Sequence, residues 1–268
     1  MMKIIGFLVV LFGVCFVLGF IVSRLEKKKG WVEGHSPYGI YEKHIKRPFD
    51  FALALFGLVL FWPILLIIAI AVRINMGSPV VFTQERPGLG GEIFKIKKFR
   101  TMTDARDAEG NLLPDENRLT KIGKLLRISS GDEASELVNI LKGDMAIVGP
   151  RPLVPEYLGY YTQEESHRQD VRPGLTGLAQ VNGRSFISWE EIFAYDIKYV
   201  NSITFSGDLK ILLSTVKKVF EKKDIADVSE AWKDDDGRYH CKMGGKEVIL
   251  HNPLNVERER TNAQRNRQ

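Results

Sequence analysis

The sequence predicts a mostly α-helical membrane protein that carries one small β-hairpin. Two uncharged runs, residues 4–22 and 51–72, are each long enough to enter a bilayer. Beyond Arg73 the chain turns polar, and amphipathic helical patterns follow two short strand-like stretches that bracket a glycine-rich turn.

The first run holds 19 residues. As a helix it extends about 28 Å, close to the hydrocarbon thickness. A secretory signal is the rival reading, but no small-x-small cleavage site follows Val22. Arg24, Lys27, Lys28 and Lys29 follow instead, which orients the helix with its C-terminus toward the cytoplasm. A linker rich in Gly, Pro, His and Ser leads to Lys43, Lys46, Arg47 and Pro48, and Pro48 suits a first helical turn.

The second run holds 22 residues and has Pro63 near its middle. Proline removes one backbone hydrogen bond and bends a helix. Basic residues flank both ends of the run, which places both ends on the cytoplasmic side. A bent helix that enters and leaves the same leaflet satisfies both facts; an ordinary kinked transmembrane helix remains open.

Residues 80–82 and 93–99 read as short strands, with Arg86-Pro87-Gly88 and Gly90-Gly91 supplying the turn. A polar loop covers 102–116, and helices are expected at 119–126, 132–141, 188–200 and 208–220. The helix at 132–141 stops at Lys142-Gly143, a basic last turn followed by glycine. The helix at 208–220 has an apolar face and five nearby lysines, so it either packs on the core or lies on a membrane surface. After Glu230 the chain reads as a peripheral, partly disordered tail.

Composition narrows the function. The net charge is +5, a modest basic excess that fits a phosphate-bearing partner. Two cysteines and five scattered histidines give neither a disulfide framework nor a metal-ligand spacing. Phosphate-loop, dinucleotide-binding and serine-hydrolase motifs are missing. No basic stripe interleaved with aromatics points to nucleic acid.

Ser130-Gly131-Asp132-Glu133 is the sharpest local feature. It reads first as a capping box, with Ser130 capping and Glu133 reaching back. The same place can do chemistry. An ionised Asp132 at a helix tip can attack phosphorus, and Glu133 can serve as base or help hold a divalent cation. Rigid turns present Arg151, Arg172 and Arg184, whose guanidinium forks suit phosphate oxygens; Lys98 and Arg127 could join them.

Several stretches in one order carry a resemblance. They are Lys46-Arg47-Pro48-Phe49-Asp50, Phe82-Thr83-Gln84-Glu85-Arg86-Pro87-Gly88, Lys97-Lys98-Phe99-Arg100-Thr101-Met102, Asp132-Glu133, Gly149-Pro150-Arg151-Pro152, Val171-Arg172-Pro173-Gly174 and Asn182-Gly183-Arg184. Over about residues 41–225 the chain resembles the bacterial sugar transferases, the monotopic phosphoglycosyl transferases. Within them it is most similar to the small members that move N,N'-diacetylbacillosamine 1-phosphate to undecaprenyl phosphate.

The resemblance implies a reaction: UDP-sugar plus polyprenyl phosphate gives polyprenyl-diphosphate-sugar plus UMP, with Mg2+. It implies Asp132 as nucleophile and magnesium ligand, Glu133 as the base for the lipid phosphate, and Lys98, Arg127, Arg151 and Arg184 as phosphate-binding cations. It also implies a bacterial inner-membrane enzyme with its catalytic domain facing the cytoplasm, in contact with membrane lipids and downstream glycosyltransferases. The expected organisation is an N-terminal transmembrane helix at 1–23, a basic linker at 24–47, a re-entrant membrane helix at 48–73, the transferase domain at 74–229 and a tail of unassigned role at 230–268. Gly131 stands where the family usually has Leu, and Trp62 where it often has Ser before the proline. An inactive scaffold that holds lipid-linked intermediates is the alternative function.

Overall fold

The computed structural model describes residues 2–26, 35–159, 161–183, 187, 189–221, 232–233, 239–243 and 246–250. Two helices among them are long and apolar enough to cross a membrane. Helix α1 is Met2–Leu25, and α2 is Lys46–Met76, entered through a single π-helical turn at Tyr41–Ile45. They pack antiparallel. Phe12 meets Phe49 and Phe56 edge-on, and Gly19 lies against the start of α2. A β-carbon at Gly19 would sit 2.6 Å from the Pro48 carbonyl oxygen, so only glycine permits this approach.

Helix α2 runs through Pro63 as one element of 31 residues, about 46 Å long by its rise. The expected bend does not split it. Residues 59–64 are exposed in an unbroken row, Trp62 at 60%. Both ends are buried against the soluble domain. Ala54 joins a core of Phe94, Ile96, Ile140, Ile147 and Val148, while Val72 and Met76 join Phe99 and Leu126.

A buried polar network pins the start of α2. Lys46 Nζ donates to Asp208 Oδ2 at 2.8 Å, and Asp50 Oδ1 accepts the backbone N–H of Ile147 at 3.1 Å. The hydroxyl of Tyr199 lies 2.9 Å from Asp208 Oδ1. Lys46 faces both carboxylates, 2.8 Å from Asp208 and 3.5 Å from Asp50, which offsets part of their desolvation.

The hairpin pairs β1 (Val81–Pro87) with β2 (Ile93–Phe99) in antiparallel register. Strand β1 is longer than expected: Arg86 and Pro87 belong to it, because both still pair across the ladder, with Phe94 and Ile93. The turn proper is confined to the residues between the strands, with Gly90 and Gly91 at φ 64° and 77°. Beyond the polar loop come the short α3 (Asp115–Arg118) and α4 (Lys121–Ser129), the latter capped by Thr120 accepting from Gly123 N.

The expected helix at 132–141 is corrected. A 3-10 segment, Gly131–Glu136, comes first, and α-helix follows only as α5, Leu137–Lys142. The capping box is also overturned. Ser130 adopts a left-handed conformation at φ 54° and ends α4, making no side-chain cap, and Glu133 points elsewhere. Its geometry is set by the packing of α4, which outweighs the local motif.

A second sheet escaped the sequence pattern. Strands β3 (Ala146–Val148) and β4 (Gly174–Thr176) pair in parallel, and each is too short to show a period. Where they cross, a β-carbon at Gly174 would lie 2.1 Å from Gly149 N. Gly174→Ala is therefore expected to cost about 3 kcal/mol or more, read as a fall in thermal midpoint of the detergent-solubilised protein. An unchanged midpoint would contradict this crossing.

After α6 (Gln163–Ser166) and α7 (Leu178–Asn182), two longer helices close the domain, α8 (Trp189–Val200) and α9 (Phe205–Glu221). Helix α9 packs on the core with one face and leaves an apolar stripe open. It buries Ile211 in the core yet exposes Phe205, Leu209, Leu213 and Val216 in a stripe. In the tail, expected to be peripheral and partly disordered, β5 (Trp232–Lys233), β6 (Tyr239–Met243) and β7 (Lys246–Leu250) form a small antiparallel sheet.

Candidate active site

The site forms where the 3-10 segment lies along β2. Ser135 Oγ donates to the Lys97 carbonyl at 2.8 Å. Asn139 accepts from Lys97 N–H at 3.1 Å and donates to the Lys95 carbonyl at 2.8 Å. These side chains satisfy the open edge of β2 and set the position of Asp132 and Glu133 relative to Lys98. Alternate residues of a strand share a face, so Phe94, Ile96 and Lys98 line one side, and Arg86 is opposite Phe94 in β1.

Glu133 Oε1 accepts from Lys98 Nζ and from Arg151 Nη2, each at 2.7 Å. Burial alone would raise the Glu133 carboxyl. The charges of Arg151 and Lys98 outweigh it and hold the group at about 2. Asp132 behaves differently. Burial, then the charge of Glu133, pushes it above the ordinary carboxylate range, with Lys98 and Arg127 pulling the other way. No side chain among the described residues bonds the Asp132 carboxylate.

Three of the expected residues thus converge: Lys98, Glu133 and Arg151, with Asp132 adjacent in the chain. Arg127 is near enough to influence Asp132, but its guanidinium bonds Thr101 Oγ1 at 3.2 Å and approaches the Met102 sulfur. Arg184 lies outside the described residues. Arg172 is not in the site. Its Nε donates to the Gly143 carbonyl at 2.9 Å and its Nη2 lies 3.4 Å from Glu26 Oε2 at the end of α1. Arg47 grips the same Glu26 and donates to the Ile140 carbonyl at 2.9 Å, so the two arginines tie α1 to the end of α5.

Three participants were missed. Arg168, 1% exposed, bonds Asp196 at 2.7 Å and donates to the Arg151 carbonyl at 2.8 Å, so it braces the loop that presents Arg151. Glu136 and Arg86 line a small open cleft with Ile96, Lys98, Arg151 and Pro152. A charge buried beneath a loop leaves no periodic trace in sequence. Arg86 sat within a quoted motif but read as a turn residue.

A magnesium ion can be tested against these donors. No cluster of three or more His, Cys, Asp or Glu side chains that could hold a metal occurs among the described residues. One unpaired carboxylate, Asp132, is available, and magnesium commonly takes one or two carboxylates with water and substrate phosphates completing its shell. The donor set fits that mode.

The model of the bacterial sugar transferase family matches residues 41–222. The chain belongs to that family. It is 52% identical over 181 residues to the Bacillus subtilis protein named "Uncharacterized sugar transferase EpsL", covering 68% of this chain and 90% of that one. It is 40% identical over 181 residues to the UDP-glucose:undecaprenyl-phosphate glucose-1-phosphate transferase of Caulobacter vibrioides, covering 64% of this chain and 68% of the relative. It is 36% identical over 188 residues to the galactosyl transferase CpsE of Streptococcus agalactiae, covering 65% of this chain and 42% of the relative. The family match runs from the π-turn before α2 to just past α9 and does not include α1 or the tail.

Proposed function

We propose that this sugar transferase moves a sugar 1-phosphate from a UDP-sugar to undecaprenyl phosphate and releases UMP, through a covalent intermediate on Asp132. The observation that carries the reading is the unpaired, half-buried Asp132 carboxylate beside two cations held by Glu133. An Asp132 oxygen attacks the phosphorus that bears the sugar. The bond from that phosphorus to the UMP oxygen breaks, and UMP leaves with the electron pair. An oxygen of the lipid phosphate then attacks the same phosphorus and displaces the Asp132 carboxylate.

Lys98 and Arg151 neutralise the diphosphate as it arrives. In binding it they loosen their hold on Glu133, whose basicity then rises toward that of an ordinary carboxylate. That is the form suited to take a proton from the lipid phosphate. Arg127 and Arg184 are proposed as further phosphate contacts. Asp132 would hold Mg2+, which supplies charge neutralisation at the diphosphate. The relatives' names favour UDP-glucose, and the motif resemblance favours an N-acetylated amino sugar, so both belong in the test.

Membrane geometry supports the same reading. Both ends of α2 rest on one soluble domain while residues 59–64 protrude, which favours re-entry over spanning. The domain would then face the cytoplasm at the bacterial inner membrane, where downstream glycosyltransferases collect the product. Single cysteines placed by Lys43→Cys and Ile74→Cys, in a background without Cys15 and Cys241, are expected to be labelled by an impermeant maleimide from the same side of oriented vesicles. Labelling from opposite sides would make α2 a spanning helix.

The deciding experiment is UMP release by detergent-solubilised protein with undecaprenyl phosphate, Mg2+ and a panel of UDP-sugars. Release that requires the lipid supports the proposal. No release with any sugar, from folded protein, leaves the inactive scaffold as the better account.

A further inference from the structure

Glu136 carries an unexplained feature. It is 3% exposed, lines the cleft with Arg86, Lys98 and Arg151, and its Oε1 has no hydrogen-bond partner among the described residues. Lys98 Nζ approaches that oxygen to 3.2 Å, but its 2.7 Å hydrogen bond is to Glu133. Two carboxyls share this ammonium, and only Glu133 has a second cation at bonding distance. The pair is most stable with one proton between them, and geometry puts it on the carboxyl with the poorer partners.

We propose that Glu136 is a substrate-binding residue that acts as a neutral acid: its carboxyl carries a proton, and the O–H donates a hydrogen bond to an oxygen of the nucleotide-sugar diphosphate lodged in the cleft between Arg86 and Arg151. This deepens the proposed function and rests on its assignment of the cleft to a diphosphate. A buried carboxylate that shares its one close ammonium with Glu133 is poorly satisfied, whereas a buried hydroxyl aimed at an incoming anion gains a charge-assisted bond. Glu136 thus sets a pH limit on binding. Burial first, then the charge of Glu133, raises its carboxyl to about 7 against the pull of Lys98 and Arg151.

The groups facing it are Lys98 on β2, Arg86 on β1, Arg151 after β3, and Glu133 on its own segment; Glu156 acts on Arg86 from the following turn. Glu133 stays ionised under the charges of Arg151 and Lys98, whereas Glu136 changes state near neutrality. Below its midpoint the acid donates. Above it, a carboxylate would face the diphosphate, and affinity falls by up to about tenfold per pH unit.

The test is calorimetric binding of UDP-glucose and of UDP-N-acetylglucosamine to the whole solubilised protein, without lipid acceptor, from about pH 6 to pH 8. Neither ligand's diphosphate titrates in that window. The wild type is expected to weaken by about tenfold across it. Glu136→Gln, which donates at every pH, should bind about tenfold more tightly than the wild type at the alkaline end and show no slope. Glu136→Ala should bind weakly throughout. A flat wild-type profile, an unchanged slope in Glu136→Gln, or no binding of either ligand overturns the proposal. Lipid-dependent UMP release with flat binding would remove the role of Glu136 alone, whereas a slope abolished by Glu136→Gln without UMP release would remove the transfer reaction and keep the site.

Discussion

Asp132→Asn is expected to lower UMP release by at least about a thousandfold, because the amide keeps the shape of the carboxylate and loses its nucleophilic oxygen. The fold should survive, since no side chain among the described residues bonds the Asp132 carboxylate. Without Mg2+, binding of UDP-sugar should hold or tighten, because the substitution removes a negative charge beside Glu133 and leaves Lys98 and Arg151 in place. Loss of turnover without loss of binding separates a nucleophile from a binding group. Intact-protein mass spectrometry supplies the second arm. With UDP-sugar and no lipid acceptor, the wild type should gain the mass of a phosphosugar and the variant should not. Turnover of the variant within tenfold of the wild type would remove Asp132 from this role.

Arg168→Met should cost about 3–5 kcal/mol, the largest loss of stability expected from a side-chain truncation here. Its guanidinium is buried, bonded twice to Asp196 Oδ2, once to the Tyr161 hydroxyl and once to the Arg151 carbonyl, and flanked by the rings of Tyr161 and Phe193. Methionine fills much of the volume but leaves Asp196 as a buried charge without a partner. A domain of this size should lose about 10 °C in thermal midpoint. Arg168→Met with Asp196→Leu should recover much of that loss, because no bare charge remains. The double variant should still turn over poorly. The Arg151 carbonyl has then lost its brace, and a guanidinium displaced by about 1 Å binds phosphate poorly. Recovery of activity together with stability would show that Arg168 matters to the fold alone.

How much was legible follows from which interactions are local. The two apolar helices follow from unbroken hydropathy, and the hairpin from the glycines between its strands. That Lys98, Glu133 and Arg151 belong to one site was expected from motif resemblance alone, since 35 residues separate Lys98 from Glu133 and no period links them; that they pair with one another is seen only in the structure. Arg172 was misplaced by a local argument: a rigid turn presents a guanidinium well but does not say toward what, and here it meets Glu26. The capping box failed for a related reason. Its motif is satisfied in sequence, but α4 ends at Ser130 and leaves that residue left-handed, and Glu133 finds stronger partners in two cations.

The sequence by itself determined the two long apolar helices, the hairpin and the chemical types brought to the site, because hydropathy, turn residues and motifs act over a few neighbouring positions. Tertiary structure alone decided the charge states. Asp132, Glu133 and Glu136 lie within five residues, yet burial and the reach of Lys98 and Arg151 hold Glu133 at about 2 and Glu136 at about 7. Desolvation and Coulomb forces depend on what surrounds a group in space, and for these three carboxyls that surrounding comes from β2 and from the loop after β3.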